Sequence, residues 1–97
     1  MTSRSKAVQI AEAAREVYEN NFPMNRQAVE EGIATQSEYN NCLFSFGTLL
    51  YMSANDLTYR EAAAELFPEL NSSEWDDELA ARMELVATRN AFKVRYR

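Results

Sequence analysis

Thr35-Gln36-Ser37-Glu38-Tyr39-Asn40-Asn41-Cys42-Leu43-Phe44-Ser45-Phe46-Gly47-Thr48-Leu49-Leu50-Tyr51-Met52-Ser53-Ala54 is the stretch on which the fold turns. It opens with Ser/Thr followed three residues on by Glu, the pattern of a capping box. Tyr39, Leu43, Phe46 and Leu50 then recur at helical spacing, and Cys42, Leu49 and Met52 widen that stripe until the helix is apolar nearly all round. Such a helix is buried on several sides, so it is expected at the centre of a bundle. Gly47 costs the helix about 1 kcal/mol relative to Ala, which points to a close helix crossing there.

Working outward, residues 5–20 form a first helix, with Ala7, Ile10, Ala14 and Val17 as its apolar stripe. Asn21-Phe22-Pro23 stops it, because the residue before proline is pushed out of the helical region. A short helix over 25–31 follows, with Asn25 as its expected cap and Gly32 in the left-handed position at its end. Thr58-Tyr59-Arg60-Glu61 is a second capping box, opening a short helix that Phe67-Pro68 ends. Residues 69–72 read as a loop, and Ser72 or Ser73 as the cap of the last helix. Trp75, Leu79, Met83 and Val86 mark that helix's expected buried face, with Ala81, Leu85 and Thr88 alongside. The sequence therefore reads as all-α, a small bundle of about five helices around a central apolar helix, with an extended basic C-terminal tail from about residue 91.

The composition agrees. At 97 residues the chain suits one domain with a modest core. It is 46% hydrophobic and 26% charged, which excludes a disordered chain, and two Gly with two Pro are too few for a sandwich or barrel. One cysteine, Cys42, cannot form an internal disulfide, and it reads as a buried reduced thiol in a cytoplasmic protein. No apolar signal core precedes Glu12. The uncharged run between Glu38 and Asp56 is shorter than the ~20 apolar residues that span a bilayer, so no membrane association is expected.

Catalytic chemistry is poorly supplied. There is no histidine, hence neither the commonest acid–base group near neutral pH nor the commonest metal ligand. Gly32 and Gly47 alone cannot build a phosphate-cradling loop, and no cofactor is implied. Asp76-Asp77-Glu78 falls in the first turn of the last helix, where negative charge complements the macrodipole. The expectation is a binding protein, not an enzyme.

Charge is unevenly placed. Residues 54–85 hold nine acids against Arg60 and Arg82, whereas 86–97 hold Arg89, Lys93, Arg95 and Arg97 and no acid. The acidic segment reads either as a solvated surface or as a patch for a basic partner; a net charge of -5 is too small for a nucleic-acid mimic. Phe92-Lys93-Val94-Arg95-Tyr96-Arg97 alternates apolar and basic residues with a period of two. It is either a frayed end whose aromatics fold back onto the bundle or an arm that meets a partner's sheet edge or acidic surface. Ala28 to Ile33 and Leu57 to Ala63 have a faint helix-turn-helix flavour. The second would bring acid to phosphate, so direct nucleic-acid binding is disfavoured. Phe67-Pro68 is a candidate slow switch, because X–Pro bonds favour trans only slightly and isomerise slowly; a host prolyl isomerase is a candidate partner at Pro68.

The whole chain resembles the small anti-RecBCD proteins of lambdoid Salmonella phages. The resemblance lies in length, acidic helical character and the lone interhelical proline of Leu66-Phe67-Pro68-Glu69-Leu70. It implies a phage-encoded protein in the host cytoplasm that binds the RecBCD helicase–nuclease, through its RecC subunit. There it would modulate degradation of linear DNA, so that phage ends survive for recombination. The expected partner-binding residues are Phe67, Pro68, Phe92, Lys93, Val94, Arg95, Tyr96 and Arg97. Two alternatives stand beside this reading: a small nucleic-acid-binding module using the basic C-terminus, and a homodimeric helical adaptor that covers its own apolar surface.

Overall fold

The computed structural model describes residues 5–92. Over these residues it is all-helical: α1 (Lys6–Asn21), α2 (Pro23–Glu30), α3 (Gln36–Ala54), α4 (Tyr59–Leu66) and α5 (Asp77–Phe92), with 3₁₀ turns at Pro68–Leu70 and Ser72–Glu74. Ser5 Oγ accepts the Val8 amide at the start of α1, and Thr35 Oγ1 accepts that of Glu38 at the start of α3. Thr58 and Glu61 complete a reciprocal capping box at α4. α3 packs against α1, α5, α4 and α2. It is not covered on every side: Asn40 and Leu50 remain at the surface.

α1 buries Ala7, Ala11, Ala14 and Tyr18. The expected stripe is thus rotated: Ile10 is half-buried and Val17 exposed. The cause is Gly47. A Cβ there would lie 3.3 Å from Ile10 Cγ2 and 3.4 Å from Ala11 Cα, so the two backbones run close, with the α1 backbone at Ala11 directly against Gly47. Volume returns at the end of the interface, where Tyr18 meets Phe22, Phe46 and Tyr39 with ring centroids 5.1, 5.2 and 5.6 Å apart. These separations suit tilted and edge-to-face ring pairs.

Two expected caps are corrected. α2 starts at Pro23, whose missing N–H costs nothing at a first helical position. Asn25 is therefore inside the helix and buried, where its Nδ2 donates to the Tyr18 hydroxyl at 2.9 Å. Gly32 does take positive φ, at 76°. Residues 69–72 are not an open loop but part of two 3₁₀ turns hinged at Asn71, which is left-handed at φ 52°. Ser72 is fully buried and donates to the Arg60 carbonyl oxygen at 2.7 Å, so neither Ser72 nor Ser73 caps α5. Asp76 does: its Oδ1 accepts the Leu79 amide at 2.7 Å.

α5 is rotated too. It buries Ala87 and Ala91, while Leu79, Leu85 and Val86 are exposed. The expected tail boundary at residue 91 is also corrected. Ala91 belongs to the buried core, and Phe92 closes α5 with its ring 5.5 Å from Phe22. The rest of the expected tail, residues 93–97, lies outside the described residues.

Two outcomes follow. Truncation after Phe92 should keep helicity and stability within about 1 kcal/mol of wild type, whereas truncation after Asn90 should cost about 1–3 kcal/mol by removing buried apolar surface, read by urea unfolding. Gly47→Leu should cost about 1–3 kcal/mol by overpacking. Gly47→Ala should stay within about 1 kcal/mol of wild type, because its gain in helix propensity offsets a tight contact that Ile10 can relieve.

Candidate functional site

Three places on the described surface and core could carry function. The first is the polar cluster inside the bundle. Tyr18 is buried with Asn25 and Cys42 around it, and Tyr39 donates to Glu19 Oε1 at 3.0 Å. Burial, then the neighbouring Cys42 thiol, drives the Tyr18 phenol far above its ordinary value. Burial and the Glu19 carboxylate push Tyr39 up to about 12. Both hydroxyls are held protonated, so the cluster is a set of neutral donors and acceptors that fixes α1, α2 and α3 together. Among the described residues every fully buried side-chain polar atom has a partner, and no three His, Cys, Asp or Glu side chains converge to hold a metal ion.

The second is the region of Phe67 and Pro68. Phe67 is half-buried, its ring 6.5 Å from Phe44 of α3, and Pro68 is exposed at the first position of its 3₁₀ turn. The described peptide bonds, Phe67-Pro68 among them, are trans. Beside this turn lies a shallow groove of about 240 Å³. Asn41, Phe44, Ser45 and Thr48 of α3 line it together with Tyr59, Phe67 and Leu70. It is smaller than the roughly 300–1,000 Å³ of small-molecule sites.

The third is the outward side of α5. With 100° per residue and Ala87 and Ala91 turned inward, Glu78, Arg82 and Arg89 form the outermost ridge. Leu79 and Val86 flank it on one side at 38% and 41% exposure, and Leu85 and Phe92 on the other at 52% and 50%. Arg82 Nη2 lies 3.4 Å from Glu78 Oε1, an exposed pair of little energetic weight. Arginines among half-exposed apolar side chains are a composition enriched where proteins meet.

Of the residues singled out in the sequence, Phe67 and Pro68 share one turn. Phe92 rests on Phe22, which itself packs on Phe46. Phe44 and Phe46 point to different faces of α3, so Phe67 and Phe92 do not form one patch. Lys93, Val94, Arg95, Tyr96 and Arg97 lie outside the described residues. The ridge was missed because Leu79 and Val86 were assigned to the core; the alanines at 80, 87 and 91 carried the opposite signal. No described helix is long and apolar enough to cross a membrane. Comparison with family models, curated proteins and solved structures finds no match to the chain.

The raised phenols tie stability to alkaline pH. Tyr39 holds its proton to about 12 in the folded chain against about 10 unfolded, so folding binds the proton more tightly. Its contribution is intact below pH about 10 and fades as pH rises toward 12. Absorbance at 295 nm with circular dichroism should show part of the tyrosine signal titrating only together with helix loss. Complete ionisation near pH 10 with helicity intact would contradict this.

Proposed function

We propose that the protein is a non-enzymatic binding module whose bundle, organised about α3, presents the α5 ridge to a protein partner. The observation that carries this reading is the side-chain order of α5. Ala87 and Ala91 face inward, while two arginines and four large apolar side chains stay at the surface. Truncating arginine or aromatic anchors at interfaces typically costs most of the binding energy. Lys93, Arg95 and Arg97, which follow Phe92 in the sequence, would add basic side chains for the same partner.

On the sequence resemblance, the partner is the host RecBCD helicase–nuclease, engaged through RecC, and the effect is modulation of its attack on linear DNA in the host cytoplasm. The modest net charge favours docking on protein over imitation of a DNA end. An isomerase partner at Pro68 belongs to the same proposal. Exposure of Pro68 supports it, since an enzyme could reach that ring without unfolding α4.

A pull-down from bacterial lysate with the tagged chain should recover RecBCD, and the purified protein should alter RecBCD nuclease activity on linear duplex DNA. Arg82→Glu and Arg89→Glu should each weaken capture roughly tenfold or more while leaving helicity unchanged. Pro68→Ala locks the position in trans, since a non-proline cis bond costs roughly 2.5–4 kcal/mol. It should keep the fold and lose potency against the nuclease. Recovery of no RecBCD would overturn the partner assignment. Unaltered capture by both arginine variants would overturn the ridge. A mobility shift of duplex DNA that weakens steeply with salt would instead favour the nucleic-acid module.

A further inference from the structure

We infer that the groove between α3, α4 and the Pro68–Leu70 turn receives an arginine side chain from a basic segment of a protein partner. The groove shares no residue with the α5 ridge. It is a second binding site, independent of the partner assigned to that ridge.

Its size suits a single side chain, since about 240 Å³ lies below the range of small-molecule sites. Its lining suits a cation on an apolar stem. Phe44, Tyr59 and Phe67 bring three aromatic rings from α3, from α4 and from the residue that ends α4. Aromatic faces attract a guanidinium through the ring quadrupole, and the methylene stem of arginine covers apolar surface. The rings are held in place: Phe44 and Phe67 form an edge-to-face pair with centroids 6.5 Å apart, and Tyr59 stacks on Trp75 at 6.4 Å. Asn41 and Ser45 add side-chain oxygens that can accept from guanidinium N–H groups.

Charge selects the same occupant. Residues 36–81 hold nine acids and one base, Arg60, which is engaged by the Trp75 carbonyl and Asp77. Acids border the groove from three elements. Glu38 lies one turn before Asn41 on the same face of α3, and Glu69 stands between Pro68 and Leu70. Glu84 of α5 lines the adjoining hollow with Tyr59. Burial, then the Glu84 carboxylate, raises the Tyr59 phenol above its ordinary value, so a neutral hydroxyl stands beside an anion. A leucine or tyrosine in the groove would use the rings and leave these acids without a counter-charge. Lysine would supply the charge as a compact, strongly hydrated ammonium, whereas the planar guanidinium also stacks on rings.

Titration of the isotopically labelled full chain with acetyl-Gly-Gly-Arg-Gly-Gly-amide tests this, with citrulline and leucine peptides as neutral counterparts. Trp75 is the chain's only tryptophan, so its emission reports on the stacked Tyr59 ring. NMR should show shifts of the Phe44, Tyr59 and Phe67 ring protons and of the Thr48 and Leu70 methyl groups, with the arginine δ protons displaced upfield. The arginine peptide should bind about tenfold more tightly than the citrulline peptide. Glu69→Gln and Glu84→Gln should each weaken it about twofold or more, and added NaCl should weaken it further. Ser45→Phe, which fills the groove, should abolish the shifts with helicity retained. Equal binding of the three peptides would overturn the inference. So would unchanged shifts in Ser45→Phe, or no shift in the wild-type chain at about 10 mM arginine peptide.

Discussion

The close crossing of α1 over α3 sets the rest of the structure. Gly47 removes a side chain on one helix, and Ala7, Ala11 and Ala14 keep the other thin. Backbones that approach this closely gain dispersion contacts along the whole interface, although no single residue buries much area. The same device recurs where α4 presents Ala62 and Ala63 and α5 presents Ala87 and Ala91. A bundle joined this way is shallow. Its extents are 40 × 37 × 22 Å, about two helix diameters in the thin direction. It has little interior volume to fill, and the rings of Tyr18, Tyr39 and Phe46 supply most of the bulk at one end.

The join between α4 and α5 is held by polar contacts. Arg60 donates to the Trp75 carbonyl at 2.7 Å and pairs with Asp77, while its own carbonyl accepts from buried Ser72. Tyr59 stacks on Trp75 with ring centroids 6.4 Å apart. One residue therefore ties the second 3₁₀ turn to the first turn of α5. Because Ser72 is spent on this clamp, the helix must find its cap four residues later at Asp76.

Helix boundaries were legible because their signals are local. Thr35 and Thr58 cap as their spacing implies, and both Phe-Pro pairs end helices. Faces were not legible, for a common reason. Hydropathy ranks Val17, Leu79 and Val86 above alanine, yet burial here follows thickness rather than hydropathy. Gly47 in α3 was the visible hint, and its consequence for the alanine rows of α1 was not drawn from sequence. The caps at Asn25 and Ser72 failed because each polar side chain found a buried tertiary partner, the Tyr18 hydroxyl and the Arg60 carbonyl. The sequence already paired Phe67 with Pro68, but not Leu70, Ser45 and Tyr59, which the fold gathers from three elements into one groove.

Shallow construction also constrains function. Among the described residues the groove beside Phe67 holds about 240 Å³, below the roughly 300–1,000 Å³ of small-molecule sites. The run from Glu61 to Glu78 carries acids and no Lys or Arg, so its charge repels phosphate. The α5 ridge differs in kind: its arginines stand among apolar flanks that a solvated helix would replace with polar side chains. Burying half-exposed leucine, valine and phenylalanine surface against a partner is favourable at roughly 25 cal/mol per Å². Charge then selects among partners that could cover it. On an otherwise acidic chain, α5 thus gathers Arg82, Arg89 and half-exposed apolar side chains on one helix face.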